Sequence, residues 1–299
     1  MDLKVPEKLH VDAFQVHFAD VADVDLEQLH ALSIAVGWPH RAEDWQALRD
    51  LGHGFVALDD IDRVLGAAMW FPHGETFATL GMLITSPRLQ TNGAAKWLMQ
   101  RILSECPGTS FRLNATRAAR RLYRSLDFVQ QRTVFQCQGK ARKPGPAHEL
   151  PAGCDLRRLR ASDLDAVIAF DAPAFAVPRP VHLASLFESS LCYGLFRGEA
   201  LVAYSMSRAF GRGHVLGPIG ALSVDEAIAV ARPHVDAHTG RFLRVDTHFG
   251  TGPFASFIQD CGLPVFDTVT TMTLGEGVDY GTVGDDKGAL FALASQSMG

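Results

Sequence analysis

The most informative segment of the sequence is Leu83-Ile84-Thr85-Ser86-Pro87-Arg88-Leu89-Gln90-Thr91-Asn92-Gly93-Ala94-Ala95-Lys96-Trp97-Leu98. An apolar, strand-forming run ends at a proline turn, and a helical pattern follows in which Ala94, Leu98 and Ile102 share one face. A strand that turns through small residues into a helix presents unpaired backbone N–H groups at the positive end of the helix dipole. Gly93 allows an anion to approach the backbone closely. The stretch therefore predicts a phosphate-binding loop between a strand and a helix.

A second informative segment lies further along the chain. Phe111 to Thr116 is typical of a short strand, and Ala118 to Phe128 of a helix that contains Leu122-Tyr123 and ends at a turn. Together with Gln90-x-x-Gly93-x-Ala95, this segment resembles the cofactor signature of the GNAT family, the N-acetyltransferases that use acetyl-CoA. Asp127 stands in the turn where that family usually has Gly, and Asp tolerates the left-handed backbone that ends such a helix.

The resemblance implies acetyl-CoA as co-substrate and no metal ion. The strand before the loop would pair with the pantetheine arm like a further strand, and Asn114 would lie near that arm. Positive charge for the phosphates would come from Arg120, with Arg88 and Arg117 as further candidates. The cofactor-binding residues implied are Leu83, Ile84, Thr85, Gln90, Thr91, Asn92, Gly93, Ala94, Ala95, Asn114 and Arg120. Tyr123 matches the family's general acid, which protonates the departing thiolate.

The sequence determines the general base and the acceptor site less well. Many family members carry a Glu on the strand before the loop, so Glu75, near the start of that strand, is our candidate for the base. Thr79 lies in the part of the strand where that Glu would stand, and the alternatives for the base are His30, His40, His73 or a water relay. The segment Gly37-Trp38-Pro39-His40, followed by Asp44-Trp45, resembles one found in a two-domain bacterial subgroup. It implies an acceptor pocket that contains Trp38, His40 and Trp45, although an aromatic cluster that fastens two helices is the structural alternative.

The chain divides at Gly139 to Pro151, a segment rich in Pro, Gly and charge that is typical of an exposed linker. The predicted order before it is strand, helix, strand, strand, strand, helix, strand, helix, strand, and a similar order recurs after it. We predict two tandem GNAT-like α/β (α+β) domains, each a mixed, mostly antiparallel sheet flanked by helices. The expected ranges are an acetyl-CoA-binding domain at 1–139, a linker at 140–152 and a degenerate domain at 153–299. An unrelated α+β domain is the alternative for the second half.

The second half lacks a matching phosphate loop. Where that loop would lie, Ser223 and Glu226 form a capping box, which uses the first backbone amides of the helix itself. Asp225 and Glu226 would also repel a phosphate. We therefore expect the second half not to bind coenzyme A, but to dock on the first half across a partly apolar interface and to close the acceptor cleft.

Composition excludes several classes of protein. The 299 residues carry a net charge of −5 and no basic run, which disfavours nucleic-acid binding. No apolar run approaches ~18 residues, so no membrane span is expected, and the N-terminus lacks the apolar region of a signal peptide. The five cysteines are odd in number and lack metal-ligand spacing, which favours reduced thiols in a cytoplasmic protein.

These features lead to one expected activity and one alternative. The expected activity is acetyl transfer from acetyl-CoA to a primary amine by direct attack, without a covalent enzyme intermediate. The alternative is a non-catalytic acyl-CoA-binding sensor. A serine hydrolase is disfavoured because no Gly-x-Ser-x-Gly motif occurs. The acceptor, a small-molecule amine or a peptide, and the oligomeric state, including a homodimer, are left open by the sequence.

Overall fold

A computed structural model of the chain describes residues 5–11, 14–90, 92–146, 149–276, 280–281 and 287–299. Within these residues the strands are β1 (Lys8–Val11), β2 (Phe14–Asp20), β3 (His53–Leu58), β4 (Val64–His73), β5 (Phe77–Thr85), β6 (Ser110–Ala115), β7 (Val129–Lys140), β8 (Cys154–Arg158), β9 (Leu191–Arg197), β10 (Ala200–Phe210), β11 (Gly213–Ala221), β12 (Phe242–Thr247), β13 (Val265–Leu274) and β14 (Ala289–Ala292). The helices are α1 (Leu26–Ala35), α2 (Ala42–Leu51), α3 (Ala94–Glu105), α4 (Arg120–Arg124), α5 (Leu164–Phe175), α6 (Pro180–Glu188), α7 (Val224–Ala237) and α8 (Gly252–Asp260). No helix among them is long and apolar enough to cross a membrane.

The first half follows the element order predicted from the sequence, with the short β1 added at its edge. The left-handed turn predicted at Asp127 is confirmed, with a φ of 64°. Phe128 then donates its N–H to the carbonyl of Tyr123 at 3.1 Å, which closes the end of α4. The turn fixes where Tyr123 lies relative to the sheet.

All of these strands join one mixed, mostly antiparallel sheet that runs through both halves. Its order is β1-β2-β3-β4-β5-β6-β13-β7-β12-β11-β10-β9-β8, with β14 paired to β11. Strand β13 of the second half therefore lies between β6 and β7 of the first, and β7 lies between β13 and β12. The linker expected at 140–152 follows β7 in the chain, but the sheet continues across it because each half supplies a strand to the other.

The halves also share a hydrophobic core. Trp45 of α2 and Phe71 of β4 lie in the same buried cluster as Leu183 of α6 and Tyr204 of β10, and all four are fully buried. Burying one large apolar side chain contributes about 1.5–3 kcal/mol. The partly apolar interface expected from the sequence is therefore present and contributes to the stability of both halves.

Strand β5 carries a bulge beside the end of β6. Gly81 pairs with Met69 and Ile84 pairs with Ala67, so two residues of β5 lie opposite one residue of β4. At the bulge, Met82 has a φ of 53°. Parallel pairing of β5 with β6 ends at Leu80 and Leu113 in the described register. Beyond the bulge the two strands separate, and the backbone at 81–85 is left without β6 as a neighbour.

Candidate functional site

A cavity of about 230 Å³ lies where β5 and β6 separate. Both halves line it, because the strand exchange and the shared core bring their edges together. The first half contributes Gly37–His40, Leu80–Leu83, Asn114, Thr116, Ala119, Tyr123, Gln136 and Gln138. The second half contributes Phe210–Arg212, Phe242, Arg244, Phe266 and Ser295–Ser297. The cavity thus contains several of the residues singled out in the sequence and several that were not.

Tyr123 reaches the cavity from the short helix α4. Its side chain is 7% exposed, and its ring packs edge-on against Phe128 with the centroids 5.6 Å apart. Burial raises the pKa of the phenol, which therefore stays protonated at neutral pH. The hydroxyl makes no hydrogen bond to a described residue. It is thus a protonated donor on a cavity wall.

The predicted phosphate loop has the form of an open anion site. Gly93 is the N-cap of α3 with a φ of 78°, and it has no side chain of its own to cap the first backbone amides of that helix. A β-carbon at Gly93 would meet no atom within 4 Å, so the space in front of the helix is open. The first N–H groups of a helix have no intrahelical acceptor. The geometry therefore fits the diphosphate of a nucleotide cofactor.

Other residues predicted for the loop form hydrogen bonds within the turn or are partly or fully buried. Gln90 donates from Nε2 to the carbonyl of Thr85 at 3.2 Å, and Asn92 donates from Nδ2 to the carbonyl of Arg88 at 3.5 Å. Ala94 is buried and Ala95 is half-buried. Thr91 lies outside the described residues. These contacts shape the turn that leads from β5 into α3.

The pantetheine side of the predicted site is the separated edge of β5. Leu83 lines the cavity, whereas the side chain of Ile84 is buried in the core. Asn114 lines the facing wall, where its Oδ1 accepts from Thr271 at 2.8 Å. Arg120, at the start of α4, is half-buried and does not line the cavity. An extended chain that entered here would lie against unpaired backbone, as a further strand would.

Two of the residues predicted for the acceptor site do line the cavity, and two predicted residues lie elsewhere. Trp38 and His40 line it. Trp45 is fully buried, and its Nε1 donates to Ser33 at 2.9 Å, so it fastens α2 to α1. Glu75 lies in the exposed turn between β4 and β5, at the end of β5 away from the bulge. Neither Trp45 nor Glu75 is therefore among the described residues that line the cavity, although the ring centroid of Trp45 lies 6.5 Å from that of His40.

The remaining candidates for the base differ in their surroundings. His73 is buried, with Nε2 3.1 Å from Thr79 Oγ1 and its ring 4.3 Å from that of His182, in the core between the halves. His30 is half-buried on α1. His40 is the one of these histidines that lines the cavity. Burial, together with the positive charge of Arg244, lowers the pKa of His40 to about 4, so the ring is neutral at pH 7.

The second half holds the loop that carries His40. The ring of Phe210 lies edge-on to that of His40 with the centroids 5.4 Å apart. Asp44 accepts from the guanidinium of Arg41 at 2.8 Å and from the backbone N–H of Gly211 at 3.0 Å. Burial alone would raise the pKa of Asp44, but these hydrogen bonds hold it below its ordinary value. The charged Asp44 therefore links the hairpin between β10 and β11 to the start of α2, next to the loop that carries His40.

The sequence reasoning missed a polar network formed by β7, β12 and the C-terminal segment. Arg244 donates to Asp246 through Nε at 2.9 Å and through Nη2 at 3.1 Å. Gln296 donates from Nε2 to Asp246 at 3.0 Å and to Gln136 at 3.2 Å, and Gln136 donates to Gln138 at 2.9 Å. Alternating polar residues inside apolar strands were the available signal, since they mark one polar face. That alternation does not predict that β7 and β12 are neighbours in the sheet.

The equivalent channel of the second half is filled by its own chain. Strands β11 and β12 share two described pairs, His214 with Leu243 and Val215 with Arg244. Beyond them β14 pairs with β11, and the carbonyl of Phe291 accepts from the Thr247 hydroxyl at 2.6 Å. The segment then continues into the cavity of the first half.

The helix cap predicted for the second half is also present. Ser223 Oγ accepts from the N–H of Glu226 at 3.3 Å at the start of α7. The carboxylate of Glu226 is paired with Arg197 at 2.7 Å. One of the first amides of α7 therefore has an acceptor within its own chain.

Comparison with known families agrees with this architecture. Two family models, each described as an acetyltransferase (GNAT) domain, match residues 50–130 and residues 167–283. None of the curated protein sequences matches this chain significantly.

Solved structures share the fold over most of the chain. A protein from Pyrococcus horikoshii with a provisional acetyltransferase description aligns with a TM-score of 0.76 and 15% identity, over 98% of this chain and 99% of that one. A GCN5-related N-acetyltransferase from Sphaerobacter thermophilus has a TM-score of 0.60 and 17% identity, over 86% and 95% of the chains. A tandem GNAT protein of the clavulanic acid biosynthesis pathway has a TM-score of 0.61 and 13% identity, over 88% and 99%. At identities this low, the similarity shows a shared fold and nothing about activity.

Proposed function

The chain is a tandem member of the GNAT acetyltransferase superfamily, and from this premise we propose that its first half transfers an acetyl group from acetyl-CoA to a primary amine. One observation carries the proposal. Tyr123, a protonated donor, and the bulged residue Leu83 line the same cavity at the open end of the gap between β5 and β6. An acyl carbonyl and its sulfur held in that gap would lie between the two.

The residues of the first half fit acetyl-CoA. The uncapped start of α3 at Gly93 would bind the diphosphate through backbone N–H groups, and the edge of β5 beyond the bulge would bind the pantetheine arm. When bound, acetyl-CoA supplies an activated acyl group on sulfur. The backbone N–H groups near Leu83 would donate to the thioester carbonyl and stabilise the charge that develops on its oxygen.

Proton movements complete the reaction. The acceptor nitrogen forms a bond to the acyl carbon, and the carbon–sulfur bond breaks. The ammonium form of the acceptor must first lose a proton, which a water molecule takes up; the neutral His40 can pass a proton on to water, but its lowered pKa of about 4 makes it a weak base. Tyr123 gives its proton to the departing sulfur. Burial raises the pKa of the phenol, so Tyr123 keeps its proton at neutral pH, and burial of the departing sulfur would raise the pKa of its thiol in the same direction.

One observation favours a second candidate, a non-catalytic acyl-CoA sensor. No Asp or Glu is among the described residues that line the cavity, so a strong carboxylate base is absent from that set. The two candidates separate in an assay for free thiol with acetyl-CoA and a panel of amines. Steady thiol release with at least one amine supports the enzyme. Tight acetyl-CoA binding in calorimetry, without turnover on the panel, supports the sensor.

We further propose a cytoplasmic location, and the oligomeric state is left to measurement. The five cysteines form no disulfide in the structure, which supports a reducing compartment such as the cytoplasm. A homodimer is compatible with the family, and sedimentation of the purified chain would decide it.

A further inference from the structure

The cavity favours an anionic group over a second cationic one. Arg212 and Arg244 line it, whereas no carboxylate is among its described lining residues. The carboxylates next to the lining are already paired, Asp246 with Arg244 and Asp44 with Arg41. A cation that entered would be buried without a counter-ion, which is strongly unfavourable. Polyamines and other polycationic acceptors are therefore poor fits.

Two hydrogen-bond donors in the cavity have no partner among the described residues. Arg244 uses Nε and Nη2 for Asp246, and its third nitrogen, Nη1, makes no such bond. Gln138 accepts from Gln136 through Oε1, and its Nε2 makes none. Arg244 and Gln138 are direct partners across β12 and β7, so their side chains stand on one face of the sheet. Both residues line the cavity.

The position of Arg244 is fixed rather than adaptable. Its side chain is 10% exposed, and Asp246 holds it through two hydrogen bonds. Gln296 in turn donates to Asp246 from the C-terminal segment, and Gln136 links Gln296 to Gln138. A guanidinium held in this way loses little conformational freedom when it binds an anion, which favours specific recognition of a carboxylate.

We propose that the acceptor is a primary amine that also carries a carboxylate, an amino acid or a close analogue, and that Arg244 and Gln138 bind the carboxylate. The inference rests on the proposed function, since it names the acceptor of that same site. Trp38 and Phe242 would contact the carbon skeleton between the two polar groups. Arg244 is then a specificity residue, and Asp246 and Gln296 position it.

The test compares each amino acid with its own carboxamide. The pair shares the amine and the skeleton and differs in the negative charge. We expect kcat/KM in the thiol-release assay to be about 10- to 100-fold higher for the acids, the range for a charged hydrogen bond. Arg244→Gln should abolish this preference by raising KM for the acids, with acetyl-CoA affinity unchanged. Arg158→Gln, an exposed arginine on β8, is the control and should keep the preference.

A double variant and a direct measurement of acceptor binding separate the failure of the carboxylate site from the failure of the acetyltransferase. Because Arg244→Gln leaves Asp246 unpaired, the double variant Arg244→Gln/Asp246→Asn removes the buried charge as well, and it should also lose the preference. Calorimetry with the acids and the carboxamides measures acceptor binding without turnover. If the carboxamides or polyamines bind and react as well as the acids, the acceptor class is wrong while the acetyltransferase stands. If the acids bind through Arg244 but no amine releases thiol, the acetyltransferase is wrong while the carboxylate site stands.

Discussion

The side-chain amide of Asn114 donates to the backbone carbonyl of Gln296 at 2.9 Å. Asn114 lies on β6, in the signature segment of the first half, and Gln296 lies in the C-terminal segment of the second. The same segment places Ser297 against the bulge of β5, where a β-carbon at Gly81 would lie 2.4 Å from Ser297 Cβ. The first half's cavity is therefore completed by residues that lie far from it in sequence.

The first prediction follows from the strand exchange. A fragment that ends at Arg142 lacks β13, so β6 and β7 lose the strand between them and expose unpaired backbone. We expect this fragment to aggregate when expressed alone and to become soluble when it is co-expressed with residues 143–299. A soluble, monomeric fragment with a cooperative thermal transition would show that the first half folds on its own.

The second prediction concerns the loop at Gly93. Gly93→Glu places a side chain and a negative charge where a diphosphate would meet the backbone, so acetyl-CoA affinity should fall at least about 100-fold, more than 2.7 kcal/mol. Gly74→Glu is the matched control, because Gly74 also has a positive φ and open space around it but lies in the β4–β5 turn. Calorimetry that gave equal affinities for the two folded variants would remove the loop from the cofactor site.

The third prediction concerns Tyr123. Tyr123→Phe keeps the ring that packs on Phe128 and removes the proton, so kcat should fall by roughly 10²-fold or more with little change in acetyl-CoA affinity. Tyr193→Phe on β9, a tyrosine outside the cavity, should leave kcat unchanged. Equal kcat values for Tyr123→Phe and the native chain would assign Tyr123 to packing alone.

The fourth prediction is a stoichiometry of one acetyl-CoA per chain. In the second half β14 occupies the place beside β11 that a pantetheine arm would need, and Ser223 caps α7. Titration calorimetry should give one site, and Gly93→Glu should eliminate that site. Two sites in the native chain, or one site that survives in Gly93→Glu, would place a cofactor in the second half.

The fifth prediction concerns acid stability. Burial, with the charge of nearby Arg179, lowers the pKa of His182 to about 4, and burial lowers that of His73 to about 2. An unfolded His has a pKa of about 6.5. Below this pH the unfolded chain binds protons that the folded chain excludes, so the free energy of unfolding should fall from pH ~6.5 toward pH ~4 and be unaffected by these groups above pH ~6.5.

The thermal midpoint measured across this range checks the acid prediction. His182→Leu should make the midpoint less sensitive to pH, because it removes one buried titrating group from the core. His53→Gln, at an exposed position on β3, serves as the comparison and should keep the native dependence. A midpoint of the native chain that is constant between pH 7.5 and 5 would contradict the proposed role of the buried histidines.

Local sequence was sufficient for the elements and for part of the site. Gly93, Asp127 and Ser223 each act through the backbone conformation or hydrogen bond of their own turn, and the structure has them in the predicted conformations or contacts. Trp38, His40 and Tyr123, which were assigned from sequence motifs, all line the cavity. Trp45 and Glu75 were assigned from the family resemblance, and neither is among the described residues that line the cavity, because Trp45 is buried against Ser33 and Glu75 lies in the exposed β4–β5 turn.

Residues close together along the chain were therefore enough to predict the family resemblance, the two halves and the turn at Gly93 where we propose that the phosphates bind. Contacts between distant segments account for the rest: β13 lies between β6 and β7, β14 pairs with β11, and Asp246, next to the first half's cavity, accepts from the lining residues Arg244 and Gln296. Strands pair through backbone N–H and C=O groups, which every residue type except proline carries in full. Alternation of polar and apolar residues therefore indicates which face of a strand is polar, but not which strand will lie beside it.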